Sequence, residues 1–184
     1  LCSFYIPYPY EYYKIEKDKL KDFGIENSEF SKNVITSPKE SNYINIDNWE
    51  DFRYKLLQIN IPKNKIKDKN VIKYLSLIEN ENKSLHGNWF ILPDRKPYSV
   101  IWIRAPYTKH VAYLNIPKLS VIDMVEIEAN DAKDNILICV LLNSTIYALV
   151  REILGRTTLG QGTLKTEVID LINFPIINPS KLSK

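Results

Sequence analysis

The sequence predicts an α+β fold: a small, mostly antiparallel sheet packed on one long buried helix, preceded by a helical and irregular N-terminal part. Three observations predict it. Short runs rich in aromatic and β-branched residues succeed one another from Asn88 to Ala129, joined by links too short for helical crossovers. An almost wholly apolar helical signal then spans Ala132 to Leu154. The first 46 residues carry Tyr and Pro in close alternation and no sustained period.

Taken in order, residues 1–46 read as extended or loop-like. Tyr5, Tyr8, Tyr10, Tyr12 and Tyr13 cluster beside Pro7 and Pro9, and proline both blocks helices and removes ladder donors. These rings are expected to pack on the core or on a neighbouring domain; stacking on nucleic-acid bases is the alternative. At Asp47 a helix begins, with Glu50 at capping-box spacing and Trp49, Phe52 and Leu56 on one face, ending near Ile59 before Pro62. A second helix runs from about Asp68 to Asn80 on the stripe Val71, Leu75 and Ile78. The segments NWFIL, YSVIWIR, KHVAYLN and DMVEIEA are the strands, expected in one sheet. Asp131 and Asp134 offer a cap to the long helix, and Gly155 its C-terminal stop. A turn-rich stretch with Gly155, Gly160 and Gly162 follows, in a chain with only 5 glycines. The ordered part closes at Phe174-Pro175-Ile176. The chain is divided into an irregular segment, 1–70, and an α+β unit, 71–184; its 184 residues also fit one domain.

Composition sets the class. Hydrophobic residues at 45% permit a real core, and 26% charged residues are ordinary for a globular chain. A net charge of +3 permits nucleic-acid binding without arguing for it. Cys139 stands in an apolar run and reads as a small buried hydrophobe, so a disulfide with Cys2 is not expected. Glu11, Lys14 and Glu16 follow too soon for a signal peptide, and the apolar run Ile136 to Leu142 is far short of the ~20 residues of a membrane helix. No membrane is expected, and the predicted compartment is cytoplasmic.

Catalytic patterns are missing. No strand leads into Gly-x-Gly-x-x-Gly, no phosphate-binding loop and no Gly-x-Ser-x-Gly elbow occurs. His86 and His110 have no Cys or carboxylate set at metal spacing, so each is expected at the surface or half-buried and no metal site is expected. Asp123, Glu126 and Glu128 alternate along a strand, which fits a solvated face better than an acid–base pair. No catalytic residue is assigned, which raises a binding or specificity module over an enzyme.

The stretch LLNSTIYALVREILGRTTLGQGTLKTEVIDLINFPI carries a pattern: Leu141, Leu142, Asn143 and Ser144; then Gly155 and Arg156; Leu159, Gly160 and Gly162; Leu164 and Lys165; and Phe174, Pro175 and Ile176. It resembles the C-terminal end of N6-adenine DNA methyltransferases of type II restriction–modification systems, in the IIG branch that joins methylation and target recognition in one polypeptide. VIKYL followed by GNWFIL is similar to that family's entry into its recognition domain, so the resemblance spans Val71 to Pro179. It departs at Gln161, where the family often has a third glycine. The family's Asn/Asp-Pro-Pro-aromatic catalytic motif and its glycine-rich S-adenosylmethionine loop do not occur in this chain.

The resemblance implies a target-recognition module for double-stranded DNA, working with a methyltransferase catalytic domain supplied in cis or in trans. No cofactor is expected on this chain; S-adenosylmethionine is implied for the catalytic domain. The family flips its target adenine out of the stack, so a recognition module must clamp phosphates and read base edges. Arg104, Lys109 and His110 flank a strand-to-strand link, Arg151 and Arg156 border the end of the long helix, and Thr157, Gln161 and Lys165 lie on the glycine-rich stretch. These eight are the expected DNA contacts, with Gly155, Gly160 and Gly162 as the turn that lets the backbone come close. The same turn also serves to fold EVIDLINFPI back onto the long helix. Two rivals stand beside this reading: half of a type I specificity subunit, against which Asn143, Ser144 and Thr145 interrupt the apolar stripe, and a protein–protein scaffold without DNA binding.

Overall fold

The structure is a computed structural model, and it describes residues 2–3, 10–37, 44–46, 53–106, 110–156, 164–166, 168–172 and 174–178. The α+β class stands. Among the described residues the strands form two sheets rather than one. The first has the order β1 (Cys2–Ser3), β9 (Met124–Ile127), β6 (Val100–Ile103), β7 (Ala112–Asn115), β4 (Asn45–Ile46). The second has the order β2 (Lys14–Glu16), β5 (Tyr54–Leu57), β3 (Ser31–Ile35), β8 (Ser120–Val121). Pairing is antiparallel except at β4–β7 and β3–β8.

Three of the four expected strands appear in register: Ile101 faces Tyr113 on β7 and Glu126 on β9. NWFIL is not a strand. It turns at Asn88–Ile91 and pairs through one isolated bridge, Ile59 to Ile91, just beyond the end of β5. Its Trp89 ring lies edge-on to Tyr12, Tyr13 and Phe90, so aromatic packing holds it in place of a ladder.

The N-terminal part holds regular elements that the sequence reading missed. α1 (Lys17–Asp22) ends on Gly24 at φ 67. There Gly24 N donates to Lys21 O and Ile25 N to Leu20 O, the hydrogen-bond pair of a Schellman stop. Leu20 and Ile25 are both fully buried, which completes it. Tyr12 and Tyr13 pack inward as expected, with the Tyr13 hydroxyl donating to Trp89 O. Tyr5 and Tyr8 lie outside the described residues, as do 47–52, the start of the helix expected there. The end of that helix is instead β5, central in its sheet. Leu56 and Leu57 point to opposite buried faces, so the apolar run carries no period-2 signature.

α2 (Lys69–Glu81) forms as expected: Asp68 caps it by accepting from Asn70 N at 2.9 Å and Val71 N at 3.2 Å. Val71, Tyr74, Leu75 and Ile78 pack with Ile15, Leu20, Ile25 and Leu57. The N-terminal core therefore continues past residue 70 and takes in Phe90.

The long helix is two helices. α3 (Asp134–Leu142) and α4 (Thr145–Leu154) meet at 67°. Asn143 causes and fixes the break. Its Oδ1 accepts from Ala112 N and its Nδ2 donates to Ala112 O, so the side chain pairs with β7 as a strand would. Ser144 then caps α4 by accepting from Tyr147 N. α3 sets Ile138, Cys139 and Leu142 against β6 and β7, and Cys139 is a free, buried thiol. The opposite face of that sheet, including Ile101, Ile103 and Met124, packs on Ile35 and Val121 of the second sheet. β6 is thus buried along its whole length, which fits its run Val-Ile-Trp-Ile. No single helix among the described residues is long and apolar enough to cross a membrane.

Candidate nucleic-acid interface

Of the expected contacts, Arg104, Arg151, Arg156 and Lys165 meet near the end of β6, where the chain leaves Ile103 for Arg104. Thr166 N donates to Arg104 O at 2.8 Å. One residue earlier in that segment, Lys165 pairs with Arg156: Arg156 N donates to Lys165 O at 3.0 Å and Lys165 N to Arg156 O at 2.9 Å. The feet of the glycine-rich stretch are therefore laid beside the sheet. Lys109, Thr157, Gly160, Gln161 and Gly162 lie outside the described residues.

Arg104 and Lys165 line an open cleft of about 240 Å³ together with Thr36, Asp123 and Met124. Asp123 is exposed in a turn at φ 61, as a solvated carboxylate should be. Arg156 is exposed and ion-paired with Asp170 of α5 (Val168–Ile172). Such half-exposed pairs hold a cation at ~0–1 kcal/mol, a cost a phosphate can offset.

Arg151 is a correction. It is 1% exposed and does not reach solvent, so it is no contact for a duplex. Its Nη2 donates to Ile103 O and Arg104 O, its Nε donates to Thr166 Oγ1 at 3.0 Å, and its guanidinium lies 4.5 Å from the Trp102 ring centroid. Burial pushes its pKa down to about 10, still far above neutrality. Arg151 is the clasp that ties α4, the end of β6 and the returning segment into one unit. The sequence signal was available: Tyr147 and Arg151 are four apart, on one face.

His110 is half-buried. Its Nε2–H donates to Leu142 O at 2.9 Å, and its ring stands edge-on to Trp102. Burial holds its pKa below the ordinary value, aided by Arg151 and opposed by the Leu142 bond. The imidazole is neutral at pH 7 and adds no cation. His86 is exposed, as expected.

Gly155 also departs from expectation. It ends α4 at φ −70, not in the left-handed region. A Cβ there would stand 2.7 Å from Arg151 O and 3.1 Å from Leu164 Cδ2, so close approach is what requires glycine. The segment beyond it folds back as the sequence suggested: Leu171 and Phe174 join the α3–α4 core, and Tyr147 Oη accepts from Ile177 N.

The acidic strand is a second correction. Glu126 is 0% exposed, paired with Arg95 and accepting from Tyr98 N, because it shares the face of Ile101 and Met124, which packs on the second sheet rather than facing water. Glu128 accepts from Ser99 N and Oγ, Lys118 Nζ and Asn135 Nδ2. Among the described residues no three His, Cys, Asp or Glu side chains converge as metal ligands. Set against family models, curated proteins and solved structures, the chain has no match.

Proposed function

We propose that this chain is a DNA target-recognition module of an adenine-specific, S-adenosylmethionine-dependent DNA methyltransferase, acting with a catalytic domain supplied elsewhere. The observation that carries the reading is the meeting of Arg104 and Lys165, distant in sequence, in one open cleft at the end of β6, with Arg156 bridged to Lys165 through the backbone. Cations on strand ends and loop feet, fixed by a rigid sheet, suit phosphate clamping. The glycine-rich stretch between Arg156 and Lys165 is then the part that approaches base edges. The resemblance of the Leu141 to Ile176 pattern supplies the rest of the reading. Within it, Asn143 and Ser144 position α4, and Arg151 positions Arg104, so neither group needs to touch DNA.

The test is the affinity of the chain for labelled duplex as salt rises. Counterion release predicts that log affinity falls linearly with log salt, with a slope of about −0.9 per phosphate neutralised. Lys165→Ala and Arg104→Ala are each expected to weaken binding on every sequence and to reduce the slope by about one. The isolated chain is expected to transfer no methyl group. A chain with no salt-sensitive affinity for any duplex would refute the proposal and leave the scaffold reading, which the exposed aliphatic residues on α3 and α4 favour. An apolar docking surface responds little to salt.

A further inference from the structure

α4 is built inside out. The residues it buries are Tyr147 and Arg151, while Ile146, Leu149 and Ile153 face outward. Ile136 and Val140 do the same on α3, and all five are 60–70% exposed. From residue 135 to residue 155 the only exposed charge is Glu152. Counting about 100 Å² of open apolar surface for each of these five and for Leu154 gives about 600 Å². Spread over the two helices, that is at the upper end of the largest patch a soluble monomer usually leaves and below the ~800 Å² per partner of a standard interface.

We propose that a second copy of this chain covers this face, with α4 of one protomer packed antiparallel on α4 of its partner about a two-fold axis near Leu149. The stripe itself points to this occupant. Ile146 and Ile153 stand three and four residues to either side of Leu149, so reversing the helix direction lays the stripe on itself. Ile146 then meets the partner's Ile153, and the axis passes between the two Leu149 side chains. Such self-complementarity is what an isologous interface requires. Charge selects the direction. A parallel pair would set Glu152 against its own copy, whereas the antiparallel pair moves it beside Thr145 and Ala148, where no carboxylate stands. A charge-poor aliphatic centre is also the composition of homodimer interfaces. This inference does not rest on the DNA reading.

Sedimentation equilibrium of the full chain from about 1 to about 100 µM tests it. The expected mass is twice the 21.5 kDa of one chain. Leu149→Glu is expected to weaken association by at least about 100-fold. Leu77→Glu, on the exposed side of α2, is expected to leave it unchanged. In a Cys2→Ser background, Leu149→Cys is expected to form a disulfide-linked dimer on mild oxidation, because the axis brings the two copies of that position together, while Ile136→Cys is not. A single-chain mass throughout, whether or not the chain then sediments with phosphatidylcholine vesicles, overturns the proposal. So does a Leu149→Glu variant that dimerises like the parent.

Discussion

Arg151 and Glu128 show how single side chains hold this molecule. Arg151 satisfies three acceptors on two other segments, so Arg151→Met leaves Ile103 O and Thr166 Oγ1 without this donor in a buried site. The expected loss is roughly 2–4 kcal/mol in urea unfolding. Arg151→Lys is expected to fail as a rescue, because one ammonium cannot span the positions that a planar fork reaches. Glu128 titrates. Burial raises its pKa, but hydrogen bonds from Ser99, Lys118 and Asn135 outweigh that and bring it down to about 2, from 4.5. A carboxylate depressed in the folded state contributes stability that is complete above its unfolded pKa and is lost as pH falls through the folded one. Stability is therefore expected to decline between about pH 4.5 and pH 2, and Glu128→Gln should flatten that part of the profile. A parallel pH profile for parent and variant would show that the network does not favour the charged form. The residue scale is also where sequence misled most. An alternating acidic strand looks solvated, and an arginine near a helix end looks exposed. Only the packing of the second sheet on this face buries Glu126, and only the placement of Thr166 beside Arg104 gives Arg151 its partners.

At the scale of elements, legibility follows the local signal. α2 was readable because a cap and a one-sided stripe coincide in one stretch of chain. β6, β7 and β9 were readable because aromatic and β-branched residues lie between turn residues. α1 is too short for a period, and its signal was Gly24 between Leu20 and Ile25. β5 reads as helix in the sequence because a strand covered on both faces has no alternation to show. The break between α3 and α4 was visible as Asn143 and Ser144 inside an apolar run, but its 67° angle comes from the Ala112 backbone that Asn143 binds. The stop of α4 gives a sharp test. Gly155→Ala keeps a permitted φ but drives a methyl into a backbone carbonyl and Leu164. The expected destabilisation is about 1–3 kcal/mol, seen as a lower thermal midpoint. An unchanged midpoint would mean that the turn relaxes freely.

For the whole molecule, two surfaces differ in chemistry: a cleft at the end of β6 that holds Arg104 and Lys165 beside Asp123, and a charge-poor aliphatic face on α3 and α4. The salt response of duplex binding reads the first, and the mass in solution reads the second, so failure of one leaves the other standing. The sequence by itself determined the α+β class, the capped helix, three strands of the first sheet (β6, β7 and β9) and the residue types gathered near the glycine-rich stretch, because those depend on period, caps and composition within short segments. Tertiary structure alone decided that there are two sheets, that Arg151 is a clasp and not a contact, that Arg104 and Lys165 share a cleft, and that α4 turns its apolar side outward. Each of these depends on which distant segment supplies the partner atoms, and hydrogen bonding and burial between distant segments leave no periodic trace along a chain.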